Sequence, residues 1–198
     1  LVASMFFASS AFAGNFEGLS VFGKAGVSSS VLDLDYKNDD GDTYKLDGAG
    51  HSDYFGAIGL DYGFKISEKF VALIGTEMNV NDTDVHKSRA VSGLESKTVN
   101  FKQKNSYGVY FAPGYMVNDN TLLYTKFSYN RAKISAKYTD IYYTGTEITS
   151  LSDTFGGFGF GVGARMFVAN NVYLNAEWQK IAYGSEKFVS SDGTAKVK

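Results

Sequence analysis

Gly157-Phe158-Gly159-Phe160-Gly161-Val162-Gly163-Ala164-Arg165-Met166 sets Phe158, Phe160, Val162, Ala164 and Met166 on one side of an extended chain, with four glycines and Arg165 on the other. Successive side chains of a strand point to opposite faces, so this segment has one apolar face and one face that is small or charged. Ile58, Leu60, Tyr62 and Phe64 alternate with Gly59, Asp61 and Gly63 in the same manner. A water-soluble sandwich builds no core from faces of this kind. A membrane barrel can, because lipid solvates the apolar face while the lumen takes the small and polar one.

Seven segments carry this alternation, at 16–30, 54–64, 70–81, 105–117, 121–133, 155–167 and 172–183. Each is near the ~9 to 11 residues that a tilted strand needs to cross a bilayer. Lys65–Lys69, Asn118–Asn120 and Ala169–Asn171 read as tight turns, since Asn and Asp tolerate the positive φ such turns demand. The other connections, 31–53, 82–104 and 137–152, read as long polar loops, with a fourth begun at 184. Short turns at one end and long loops at the other is the asymmetry of outer-membrane barrels, with the long loops outside the cell. Tyr62, Phe64, Phe70, Tyr115 and Phe167 are expected at the periplasmic interface, and Tyr54, Tyr107, Tyr129 and Trp178 at the outer one. Pro113 lacks a ladder donor and predicts a kink or bulge in the fourth segment.

Residues 1–13 are an uncharged apolar run ending Ala11-Phe12-Ala13, which reads as part of a secretory signal followed by a barrel domain over 14–198. The remaining ~185 residues suit one all-β domain. Seven strands is odd where bacterial barrels are even, so an eighth, closing strand is expected and reads as missing after Lys198. An open ring would leave two unpaired edges in lipid. With 22 Gly, 14 Tyr, 16 Phe and one Pro the composition favours strands. The absence of cysteine excludes a disulfide scaffold and a thiolate metal site. A net charge of −2 leaves no basic surface of the kind nucleic acid requires.

With these segments placed, the chain resembles the small eight-stranded outer-membrane barrels, the superfamily of the outer-membrane protein A transmembrane domain and the opacity-type porin-family proteins. The residues that carry the resemblance are Phe22–Val27, Gly59–Gly63, Ala112–Tyr124 and Gly159–Gly163. The resemblance implies an outer-membrane location, exposed loops used for adhesion or immune contact, and no catalysis.

The inward register brings Lys24, Asp61, Glu77, Lys126, Arg165 and Glu177 into one lumen, with Asn79, Asn130, Asn175 and Gln179 between them. An eight-strand lumen is just wide enough for side chains to fill, so three cations and three anions there must pair. By height along the strands, Asp61 pairs with Arg165 low, Glu177 with Lys126 in the middle and Glu77 with Lys24 above. Such a layer acts either as a static polar plug or as a gate whose bridges exchange partners.

Asp33, Asp35, Asp39, Asp40, Asp42 and Asp47 around Gly41 make the first loop acidic, without the order of an EF-hand. The second loop is basic through Lys87, Arg89, Lys97, Lys102 and Lys104 against Asp82, Asp84 and Glu95. It is placed to meet lipopolysaccharide phosphates or simply to be solvated. Only His51 and His86 are of the residue type that could serve as a near-neutral base. Ser52 and Asp53 adjoin His51, but neighbours along a strand point to opposite faces and rarely form a relay. No catalytic, metal or cofactor site is expected, and the glycine run, of period two with no helix after it, is not a nucleotide loop.

The reading is an all-β, transmembrane, antiparallel up-and-down barrel in the outer membrane of a Gram-negative bacterium. It is expected to be monomeric and to have a structural, surface-presenting role. Its expected partners are outer-membrane lipid and lipopolysaccharide, together with host or cell-surface molecules reached by loops bearing Tyr138, Tyr142 and Tyr143. The alternative is a narrow, low-conductance pore gated by the interior salt bridges.

Overall fold

A computed structural model describes residues 2–7, 16–38, 43–92, 95–142, 145–184, 186–190 and 193–197. These form strands β1 (Val2–Phe7), β2 (Gly18–Asn38), β3 (Thr43–Lys65), β4 (Phe70–Asn79), β5 (Thr83–Ser92), β6 (Glu95–Asn118), β7 (Thr121–Tyr142), β8 (Gly145–Ala169), β9 (Val172–Tyr183), β10 (Glu186–Ser190) and β11 (Gly193–Val197). Consecutive long strands pair antiparallel in the order β9-β8-β7-β6-β4-β3-β2. β1 pairs antiparallel with both β9 and β2, so the sheet closes into a ring of eight positions. Closure removes the sheet edges that lipid cannot satisfy.

The eighth position, which the sequence leaves vacant, is held by Val2–Phe7, inside the run read as an export signal. That run lacks charge, as a stave facing hydrocarbon must. Ser4 lies opposite Gly26 on one side and Glu177 on the other.

The three long connections are not loops along most of their length. β2 and β3 stay paired from Gly18↔Gly63 out to Lys37↔Thr43, and β7 and β8 pair without a shift from Thr121↔Met166 to Tyr142↔Gly145. At about 3.3 Å per residue, the 22 residues of β7 span roughly 70 Å, whereas ~9 to 11 suffice to cross a bilayer. About half of each long strand therefore stands beyond the membrane. Polar composition suggests a loop, but alternating Lys, Ser and Thr over 133–139 pair as readily as apolar residues when both strands are solvated.

Asn81 carries the fold across the one break in this pattern, where β4 ends and β5 begins. Its side chain accepts from Gly56 N (2.6 Å) and donates to Tyr54 O (3.1 Å), so it bonds β3 as a backbone unit would. One step outward, Asp53 accepts from Asp84 N (2.8 Å) and Tyr54 N (2.8 Å). Those amide donors hold the Asp53 carboxyl below the ordinary aspartate value.

The apolar face points outward on every long strand. Ile58, Leu60, Ile74, Val109, Phe127, Phe160 and Val162 are all exposed, beside buried Asp61, Lys126 and Arg165. Tyr62 and Phe64 meet in a tilted contact at 4.7 Å and Phe70 meets Tyr115 at 5.3 Å near the short turns. Tyr129 meets Phe158 at 5.2 Å near the hairpins. Phe167 departs from the expected girdle. It shares the inward parity of Arg165 and packs on Phe16 (4.7 Å) and Tyr173 (6.0 Å). Pro113 does not bulge its strand either. It pairs with Ala72 on β4, and the β7 ladder resumes at Gly114↔Tyr124 in the register it held at Phe111↔Phe127. A missing donor costs a ladder bond but inserts no residue.

A packed ionic interior as candidate functional site

Six of the eight staves send a charged side chain into the lumen: β2 Lys24, β3 Asp61, β4 Glu77, β7 Lys126, β8 Arg165 and β9 Glu177. Each sits at an inward position of a strand whose alternate residues face outward. The structure brings all six together as two units.

Asp61 and Arg165 form the lower unit. Arg165 Nη2 donates to Asp61 Oδ2 at 2.6 Å and Nη1 to Oδ1 at 3.2 Å, and Tyr110 Oη donates to Oδ2 at 2.8 Å. Asp61 is 0% exposed, and the Arg165 guanidinium lies 4.2 Å from the Tyr173 ring centre. A fork-to-fork pair supplemented by a phenol and a ring face is the kind of geometry that offsets the cost of burying both ions.

The upper unit is a circuit of alternating sign. Lys24 Nζ lies 2.6 Å from Glu77 and 3.8 Å from Glu177, while Lys126 Nζ lies 3.0 Å from each of the same two carboxylates. The expected middle and upper pairs are thus joined, because Glu77 reaches both lysines. Lys126 also lies 4.4 Å from the Tyr110 ring centre. Tyr124 Oη donates to Glu177 Oε2 (2.9 Å) and accepts from Asn175 Nδ2 (2.8 Å). Above the circuit, Gln179 and Asn130 both donate to Ser128 Oγ, at 2.6 and 2.7 Å.

Tyr110, Tyr124 and Tyr173 escaped the sequence reading, yet they stand at the same inward parity as the charges. Counting every second residue from Lys126 back to Tyr124 finds one of them. The inward glycines make room for such rings. A Cβ on Gly163 would collide with the Tyr124 ring, and one on Gly75 would come within 2.6 Å of the Tyr110 ring. Small residues on the lumen face are therefore seats for aromatics on the neighbouring strands.

Below the ions the lumen turns apolar, contrary to the expectation of a polar interior throughout. Phe16, Phe22, Leu73, Met116, Leu122 and Tyr173 form a buried floor at the short-turn end. The cavity among the ions, beside Tyr124, Glu77 and Arg165, measures about 10 Å³. That is at the lower limit for a single water. A separate cup of about 80 Å³ opens toward the hairpins, with Lys24 and Glu77 among its lining residues and Ser28, Asn130 and Gln179 higher up. Among the described residues the paired ions leave no wide aqueous path between them.

His51 is exposed on β3, Ser52 bonds Ser29 (2.7 Å between hydroxyl oxygens), and Asp53 is taken up by the Asp84 and Tyr54 amides. These three form no relay. The side chains of His86, of the acidic cluster Asp33, Asp35, Asp39, Asp40, Asp42 and Asp47, of Lys87, Arg89 and Lys97, and of Tyr138, Tyr142 and Tyr143 lie outside the described residues. Among the described residues no group of three or more His, Cys, Asp or Glu is placed to hold a metal ion.

The family model described as outer membrane protein beta-barrel domain matches residues 1–198. No curated protein matches the chain. Among solved structures, the crystal structure of Ail, the attachment invasion locus protein of Yersinia pestis, matches with 13% identity and a TM-score of 0.38, over 91% of this chain and 93% of that one. The structure of Ail in complex with the heparin analogue sucrose octasulfate matches with 17% identity and a TM-score of 0.40, over 91% and 94%.

Proposed function

The chain belongs to the outer membrane protein β-barrel domain family, a Gram-negative outer-membrane fold, and from that premise we propose that it is a monomeric surface-presenting protein rather than a conduit. The barrel anchors in a bilayer whose outer leaflet is lipopolysaccharide, and it holds paired hairpins out toward host or other cell surfaces. The observation that carries this reading is the contrast between the lumen and the hairpins. The lumen is filled by two ion-paired units above an apolar floor, while β2–β3, β5–β6 and β7–β8 continue as paired ladders well past the aromatic girdle.

Adhesion through such ladders needs no chemistry in the barrel. Catalysis forms no part of the proposal. The apolar run at 1–13 is read as an export segment cleaved after Ala13.

Two measurements on the same folded protein test the reading. In planar bilayers the wild type is expected to be electrically silent, and steady single-channel steps would restore the gated-pore alternative. Vesicles carrying the protein are expected to adhere to cultured cells or extracellular matrix. Replacing 88–97 by a two-residue Asn-Gly turn should reduce that adhesion while leaving the barrel folded. Adhesion that persists after all three hairpins are shortened would sink the surface-presenting role.

A further inference from the structure

The outer face of β7 changes character at the girdle. Phe127 and Tyr129 face lipid, and the next outward positions are Arg131, Lys133, Ser135 and Lys137. β6 places Lys104 directly opposite Lys133 and Lys102 opposite Ser135, and β8 places Ser152 opposite Ser135 and Ser150 opposite Lys137. Lys102, Lys104, Lys137, Ser135, Ser150 and Ser152, together with Asn100 and Asp82, line a groove of about 340 Å³, and Lys133 stands beside it, across from Lys104.

Like charges directly opposite on a sheet are destabilising, so the Lys104–Lys133 pair is a cost that the fold itself does not require. The anions at hand relieve it only at one edge. Asp84 stands 3.4 Å from Lys102 and Asp82 stands 3.8 Å from Lys104, both half-exposed pairs. Arg131, Lys133 and Lys137 have no anionic partner among the described residues. Cations beside hydroxyl donors suit a tetrahedral oxyanion, which takes charge-assisted hydrogen bonds from both.

Position selects the source of that oxyanion. Arg131 pairs across with Tyr107 and follows Tyr129 by one outward step, and both tyrosines are exposed where an interface girdle belongs. The groove therefore begins where hydrocarbon gives way to head groups. We propose that it holds a phosphate-bearing head group of outer-leaflet lipopolysaccharide, fastening the base of the β6–β7–β8 hairpins to the membrane surface. The proposal rests on the reading that the barrel stands in the outer membrane with these hairpins outward.

The test uses the full chain folded into phosphatidylcholine bilayers containing lipopolysaccharide, with glycolipid retention measured by mass spectrometry after detergent extraction. The wild type should retain phosphorylated lipopolysaccharide. The double variant Lys104→Gln with Lys133→Gln should lose roughly thirtyfold in apparent affinity, the effect of two basic residues at an anionic surface, while Lys69→Gln, at a short turn of the opposite end, should match the wild type. Dephosphorylated lipopolysaccharide should bind the wild type as weakly as the intact lipid binds the double variant. Equal retention by both proteins, or of both lipids, would overturn the proposal. So would tighter capture of a soluble sulfated polysaccharide by the same lysines in detergent. Compact electrophoretic mobility without heating monitors the barrel in every sample. Loss of it in the wild type would sink the membrane reading itself, whereas an intact barrel with unselective lipid retention sinks only the groove.

Discussion

Asp61 shows what a single residue must accomplish inside this barrel. It is fully enclosed, and its two oxygens take two guanidinium hydrogens of Arg165 and the hydroxyl hydrogen of Tyr110. Asp61→Ala would leave Arg165 charged and unpartnered in a dry site, a loss of about 3–5 kcal/mol. Removing both ions together, with Asp61→Leu and Arg165→Met, should recover most of that, because the net worth of a buried pair over an apolar one is near zero or negative. Urea unfolding in bilayers, read as a double-mutant cycle, measures the coupling. Additive losses would mean that the two charges act independently. The alternation of 58–64 made the inward position of Asp61 legible in the sequence. Its partner was legible only as a height along another strand, and the phenol of Tyr110 was not legible at all, because alternation says which face a residue takes and not how far its ring reaches.

At the scale of the element, each long strand is two strands in series, one solvated by lipid and one by water. Leu60, 48% exposed in the first part, faces hydrocarbon, whereas Val31, 68% exposed, stands on the outer part of β2. Leu60→Arg should therefore destabilise the folded protein by about 2–4 kcal/mol, and Val31→Arg should fall within roughly 0.5 kcal/mol of the wild type. Equal costs would place both residues in one solvent. The join at β4–β5 is held by Asn81 and by Asp53, whose carboxyl sits below the ordinary value because the Asp84 amide donates to it. A depressed folded value contributes stability that is present above the unfolded value and is lost as pH falls through the folded one. Protection factors of the β5 amides are thus expected to hold from neutrality down to about pH 4 and to fall below it, and Asp53→Asn should remove that acid step. The hairpin ladders were not legible in the sequence, since polar residues with no apolar stripe carry no period, and only pairing to a neighbour makes them strands.

The whole molecule is a ring whose interior is an ionic layer on an apolar floor and whose seam, between β2 and β9, is held by six residues of β1. The same apolar run suits two tasks, recognition for export and a lipid-facing stave. N-terminal sequencing of protein recovered from outer membranes distinguishes them: a start at Gly14 is expected, in which case the seam must be closed by a strand other than Val2–Phe7, and a start upstream of Val2 would overturn the export reading. The amino-acid order by itself determined the inversion, seven staves of the ring, the tight turns and which charges face inward, because each follows from period-two alternation and turn chemistry, which are local. Only the tertiary structure decided that Glu77 bridges both lysines, that glycines on one strand seat tyrosines from the next, that Phe167 joins the floor, and that Lys104 confronts Lys133. Those facts depend on the stagger between strands distant in sequence, and stagger is set by the packing of the closed ring.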